Sequence, residues 1–157
     1  MKKIVILGRG RAGKSTTAKR LSKITGIPYI ELDKYFWKPG LVATPIDEWR
    51  KIQQKLTAGD SWIMDGDLGK YDALEVRMKA ADTVIILNFP LYICLYRAIR
   101  RSKERSDFWW WLISWRLLSW PKLRRTMDYY AKKADIKIFN TPDELEEFVI
   151  SIKKQSA

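Results

Sequence analysis

An α/β domain built on a parallel sheet with helices on both faces is the fold class this sequence predicts, and three observations carry it. Five short β-rich runs, IVIL, PYIEL, SWIMD, DTVIILNFP and ADIKIF, alternate along the chain with stretches of helical character. The fourth run is apolar nearly throughout, as a strand buried on both faces must be. Between the first run and the first helix lies GRGRAGKS, residues 8–15. Its Gly8, Gly13, Lys14 and Ser15 satisfy the phosphate-loop spacing G-x-x-x-x-G-K-[ST].

Taken in order, IVIL (4–7) is the first strand, and KSTTAKRLSKIT is a helix that Gly26 ends. PYIEL (28–32) is the second strand. Thr44-Pro45-Ile46-Asp47 predicts an N-cap threonine with proline at the first helical position, opening a helix through about Leu56. SWIMD (61–65) is the third strand and runs into DGDLG. A helix is expected over 70–80, then the fourth strand at 82–90, then a helix beginning LYICLYRAIRR. Pro121 is expected to open a further helix. ADIKIF (134–139) is the fifth strand, and TPDELEEFV starts the last helix with a capping box from Thr141 to Glu144.

At 157 residues the chain reads as one domain, 1–157, long enough to bury a good core. It has a single cysteine, Cys94, and no histidine. That excludes an intrachain disulfide, multi-cysteine metal sites, the usual zinc ligands and nucleophile schemes that need a histidine base. The apolar run at the start is too short for a signal peptide, so a cytoplasmic location is expected. The net charge is +12 and unevenly placed: residues 97–133 hold eleven Lys or Arg against three Asp or Glu. Such a block is either a solvated basic face or a site for an anionic partner.

Parallel sheets place ligands at the carboxyl ends of their strands, where GRGRAGKS, LDKYFW, MDGD and NFP all fall. Glycines let backbone amides wrap phosphates without an intervening Cβ, and the following helix adds its positive end. Lys14 supplies a mobile charge for the β- and γ-phosphates, and Ser15 offers a hydroxyl to Mg²⁺. Asp33 and Asp65 each follow a strand. A carboxylate there either holds Mg²⁺ through water or takes a proton from an attacking hydroxyl, and the plainer alternative is a helix or turn cap. Asp67 and Asn88 are weaker candidates, more in keeping with turn and strand-end roles.

GRGRAGKSTTAKRL, IELDKYFWKPG, TPIDEWR, SWIMDGD and ADTVIILNFPLYICLYR together resemble the adenylate-kinase-like P-loop proteins, and within them the group labelled DNA topology modulation proteins. The resemblance covers nearly the whole chain. It implies a P-loop NTPase fold with a five-stranded parallel sheet in the order 2-3-1-4-5. It also implies ATP or GTP with Mg²⁺ at Gly8, Arg9, Gly10, Arg11, Ala12, Gly13, Lys14, Ser15 and Thr16. Asp33 and the DGD segment would face the acceptor, Arg97, Arg100 and Arg101 would begin a mobile lid, and residues 140–143 would lie near the base. RRSKERSDF runs almost directly into WWWLISWRLLSWP, so the lid, with the Trp-rich segment at about 100–121, is shorter than in members of that group.

FWWWLISWRLLSW holds five of the eight tryptophans. It is about thirteen residues long and carries Arg116, whereas a bilayer span needs about twenty apolar residues. Its aromatics fall on all sides of a helical wheel. Four roles are open: a helix packed between lid and core, an aromatic pocket wall beside Arg100, Arg101 and Arg105, a nucleic-acid or membrane-surface contact, and an oligomer interface. The functional expectation is a Mg²⁺-dependent phosphotransferase moving the γ-phosphate of ATP or GTP to a small nucleoside, nucleotide or related acceptor. Lys14, Asp33, Asp65, Arg97 and Arg101 are the catalytic candidates, and Ser15 with Asp65 the metal site. The alternatives are a nucleotide-regulated nucleic-acid-binding protein, with weak binding to DNA, and a simple NTPase.

Overall fold

The structure is a computed structural model that describes every residue except 41, 67, 69–71, 102–105 and 157, with the side chains of 106, 107 and 156 also outside the description. The elements run β1 (Lys3–Gly8), α1 (Lys14–Thr25), β2 (Tyr29–Glu31), α2 (Asp33–Phe36), β3 (Trp37–Lys38), β4 (Val42–Ala43) and α3 (Ile46–Thr57). They continue β5 (Trp62–Asp65), α4 (Leu74–Ala80), β6 (Thr83–Leu87), α5 (Leu91–Arg101), α6 (Ser106–Tyr130), β7 (Asp135–Phe139) and α7 (Pro142–Ser156).

The main sheet has the order β2-β5-β1-β6-β7. Numbering only its own five strands gives 2-3-1-4-5, the expected order. Every pairing in it is parallel, with β1 in the centre against Trp62–Asp65 on one side and Thr83–Leu87 on the other. Alternate residues of the central strands feed two cores. Val5, Leu7, Trp62, Met64, Val84 and Ile86 pack under α3, α4 and α6, while Ile4, Ile6, Ile63, Ile85 and Leu87 pack under α1, α5 and α7. Sandwiched this way, the strands have no polar face, which is why their sequences read as continuous apolar runs.

Four expectations are corrected. Thr44 does not cap α3: its hydroxyl donates to the Phe36 carbonyl at 2.5 Å, and Pro45 stands at the cap position outside the helix. The helix expected over 70–80 is Leu74–Ala80; the start of the expected range lies partly outside the described residues. Pro121 opens no helix but sits inside α6. Its ring removes one amide donor, yet the carbonyl it would have served belongs to Leu117, an exposed residue that water can reach. Leu112, Trp115, Leu123 and Met127, all buried and spaced three, eight and four apart, keep the helix docked across the proline. That inward stripe is also a clean buried face, which the wheel of aromatics concealed. The short antiparallel pair β3–β4, turned at Pro39-Gly40 where Gly40 has φ 80°, was not expected.

Candidate active site

The phosphate loop joins the end of β1 to the start of α1. Arg11 (φ 60°) and Gly13 (φ 100°) are both left-handed, so the chain coils tightly before the helix begins. Glycine at 13 takes that conformation without the cost a side chain would add. Gly10 is required for a different reason. A Cβ there would lie 2.5 Å from Cζ3 of Trp111 and 3.1 Å from Cε2 of Phe108, so the first turns of α6 rest directly on the loop backbone. Lys14 Nζ donates to the carbonyls of Gly8 (3.0 Å) and Arg9 (3.1 Å), which holds its charge over the loop.

Two cavities meet at this loop. The larger, about 720 Å³, opens between the loop, Tyr96, Arg97, Arg100 and Arg101 of α5, and Pro142 and Glu146 of α7. The smaller, about 430 Å³, lies between the loop, the β2 end at Tyr29, Glu31 and Asp33, the β5 end at Asp65, and the rings of Phe108 and Trp111. Arg11, Lys14 and Ser15 border both. A third cavity, about 550 Å³, lies at the amino ends of the strands beside Lys2, Gly26 and Asp60, remote from this chemistry.

Within the smaller cavity Asp65 receives two short hydrogen bonds, from Ser15 Oγ at 2.7 Å and from the Tyr29 hydroxyl at 2.6 Å. Burial, then the bond to Asp65 and its charge, raises the Tyr29 pKa, so the phenol stays a donor. Asp33 is in the first turn of α2, one residue past the cap position at Leu32. Partial burial raises its carboxyl above the ordinary range, and the charges of Asp65 and Glu31 add to that while Lys14 opposes it. Arg97 donates from Nη1 to the Ala12 carbonyl at 2.9 Å and lies over the Phe89 ring, bracing the loop. Asn88 is a tie between elements, donating to Asn140 Oδ1 at 2.7 Å and accepting from Arg116 Nη1 at 2.9 Å.

Lys14, Ser15, Asp33 and Asp65 thus converge, and the start of α7 borders the larger cavity through Pro142. Asp67 and Arg105 fall outside the described residues. Neither Tyr29 nor the buried network behind Gly66 carries a signal in the sequence. There Arg77, with no exposed surface, donates to both oxygens of Asp72 (2.9 Å each), to Gln53 Oε1 (2.8 Å) and to the Gly66 carbonyl (2.8 Å). Asp72 in turn accepts from Gln53, Trp49 and the Leu68 amide, tying the chain after β5 to α3 and α4.

Hard oxygens are what Mg²⁺ takes, and Ser15 and Asp65 present them side by side. Among the described residues no three His, Cys, Asp or Glu side chains cluster, so any Mg²⁺ would depend on phosphate and water for its other ligands.

The fold is that of P-loop kinases. A shikimate kinase from Acinetobacter baumannii superposes with a TM-score of 0.66 at 17% identity, over 99% of this chain and 92% of that one. A gluconokinase from Sinorhizobium meliloti gives 0.59 at 16%, over 99% and 91%. A sugar kinase from Janibacter gives 0.59 at 17%, over 100% and 98%. No protein-family model matches the sequence, and neither does the sequence of any curated protein.

Proposed function

We propose that this protein is a phosphotransferase moving the γ-phosphate of ATP or GTP to a hydroxyl of a small acceptor. One observation carries it: two cavities of different character share Arg11, Lys14 and Ser15 as their common wall. The arginine-rich cavity suits a nucleotide triphosphate. The carboxylate-lined cavity suits the acceptor, under the rings of Phe108 and Trp111. The kinase-fold neighbours support the same reading, and the segments LDKYFWKPG and SWIMDGD support placing the chain in the DNA topology modulation group.

In this proposal the acceptor oxygen forms a bond to the γ-phosphorus as the bond to the β,γ-bridging oxygen breaks. The acceptor proton passes to the Asp33 carboxylate, whose affinity for a proton partial burial raises above the ordinary carboxylate range. Lys14, with Arg97 and Arg101 from α5, offsets charge on the transferred group. Ser15 and Asp65 would hold Mg²⁺, which neutralises phosphate charge and orients the triphosphate when bound. Tyr29 keeps Asp65 aimed at Ser15.

The test is calorimetry with ATP and Mg²⁺, followed by a turnover screen over nucleosides, nucleotides, sugars and small alcohols. Lys14→Ala removes a charge-assisted contact worth about 1.5–3 kcal/mol and should weaken nucleotide binding by about tenfold or more. Unchanged affinity in that variant, or release of phosphate only to water with every acceptor, would overturn the proposal.

A further inference from the structure

Helix α6 has a second apolar face. Leu112, Trp115, Leu123 and Met127 are its buried side, but Trp110 is 68% exposed, Ile113 51%, Leu117 78% and Leu118 65%. Trp110, Ile113, Leu117 and Pro121 follow one another at three- and four-residue steps, so they form one outward stripe with Leu118 beside it. Single exposed leucines are ordinary, whereas a contiguous stripe on one helix is not. The turns that follow present Lys122, Arg124 and Arg125, all exposed, with Asp128 the one acid among the described side chains of α6. No described helix is long and apolar enough to cross a membrane.

We propose that this outer face of α6 docks the protein on an anionic lipid surface. The helix lies in the plane of the interface, with Trp110, Ile113, Leu117 and Leu118 among the acyl chains and Lys122, Arg124 and Arg125 at the headgroup phosphates. Three observations choose this occupant. The stripe is mostly aliphatic, which suits acyl chains, whereas a single-strand platform needs aromatic planes and only Trp110 offers one. A second copy of the chain would bring the same cations to the contact, with Asp128 the one acid among the described side chains of α6 to meet them. The net charge of +12 favours an anionic surface over a neutral one. None of the four stripe residues borders the two cavities, so docking leaves the phosphate-loop site open.

The experiment is co-sedimentation of the full chain with phosphatidylcholine vesicles, with and without about 30% phosphatidylserine, across a salt series. Binding should require the anionic lipid and weaken with salt. Arg124→Glu with Arg125→Glu should lower it about thirtyfold or more, each basic residue being worth about fivefold at such a surface. Leu117→Ser with Leu118→Ser should also lower it, while melting temperature and nucleotide affinity stay unchanged. Vesicles should shift tryptophan emission to the blue in the wild type and less so in Trp110→Phe. The proposal is overturned by absent binding to anionic vesicles, or by binding indifferent to the leucine pair. It is equally overturned if single-stranded DNA binds through these residues at physiological salt in place of vesicles, or if analytical ultracentrifugation shows a dimer that the leucine substitutions dissolve.

Discussion

Replacing Arg77 by methionine removes the most deeply buried charge described in the protein while keeping an unbranched stem in its place. In the wild type the guanidinium has 0% and the Asp72 carboxylate 2% of its surface exposed, and the two meet through paired 2.9 Å bonds. Arg77→Met deletes four bonds and strands Asp72 in the core with Gln53, Trp49 and Leu68 as its donors among the described residues. Breaking one side of such a pair costs about 3–5 kcal/mol. At about 2–4 °C per kcal/mol for a domain of this size, the melting temperature should fall by about 6–20 °C. The cost should also depend on pH. Burial alone pushes the Asp72 carboxyl up, but the Arg77 charge and hydrogen bonds outweigh it and leave the folded pKa below the unfolded one. That stability is present above about pH 4, the unfolded value, and is lost as pH falls through the folded pKa. Without Arg77 the burial effect prevails and the folded pKa rises above the unfolded one, so acid relieves the variant. Thermal melts from pH 7 to pH 4 should therefore show the gap between wild type and variant narrowing. Adding Asp72→Asn should recover a large part of the loss, because no buried charge then remains. A gap under about 1 kcal/mol at pH 7, or one unchanged by pH and by the second substitution, would refute the electrostatic account.

Asp33→Asn should cut phosphate transfer far more than nucleotide affinity, and should abolish an acidic limb of the rate profile lying above the ordinary carboxylate pKa of about 4, as expected from the raised Asp33 value. Asp65→Asn should instead change the Mg²⁺ dependence, and normal transfer kinetics in both variants would reduce these residues to structural roles. Gly10→Ala drives a Cβ into Trp111 and should cost about 1–3 kcal/mol in chemical denaturation, with Trp111→Leu restoring part of it. An additive double variant would show that the ring and the loop are not in contact.

That the GRGRAGKS loop and the two aspartates share one edge of the sheet was legible because each follows a strand, and a parallel sheet gathers strand ends at one edge. The capping box at Thr141 was equally local and is present, Thr141 Oγ1 accepting from the Glu144 amide at 3.2 Å. What stayed hidden depends on distant segments. Asp72, Arg77 and Gln53 look like ordinary surface residues of amphipathic helices until α3 and α4 close over the chain after β5. Thr44 has the sequence context of a cap but finds Phe36, eight residues back, as its partner. The tryptophan helix defeated periodicity because it is apolar on two sides, one facing the core and one facing outward. Proline at 121 misled for a related reason: local propensity argues for a helix start, and tertiary docking on either side overrides it.

The common wall of Arg11, Lys14 and Ser15 has a consequence for inhibitor chemistry. Because the two chambers share these three lining side chains, the proposed function implies that a single compound carrying a polyphosphate at one end and a hydroxylated fragment at the other spans both. Joining two weak ligands in that way makes the second capture intramolecular, with gains on the order of 10²–10⁴ when the tether matches the span. A library that varies only the far fragment therefore reports the shape of the smaller chamber through one common anchor, and turns the search for the acceptor into a competition assay.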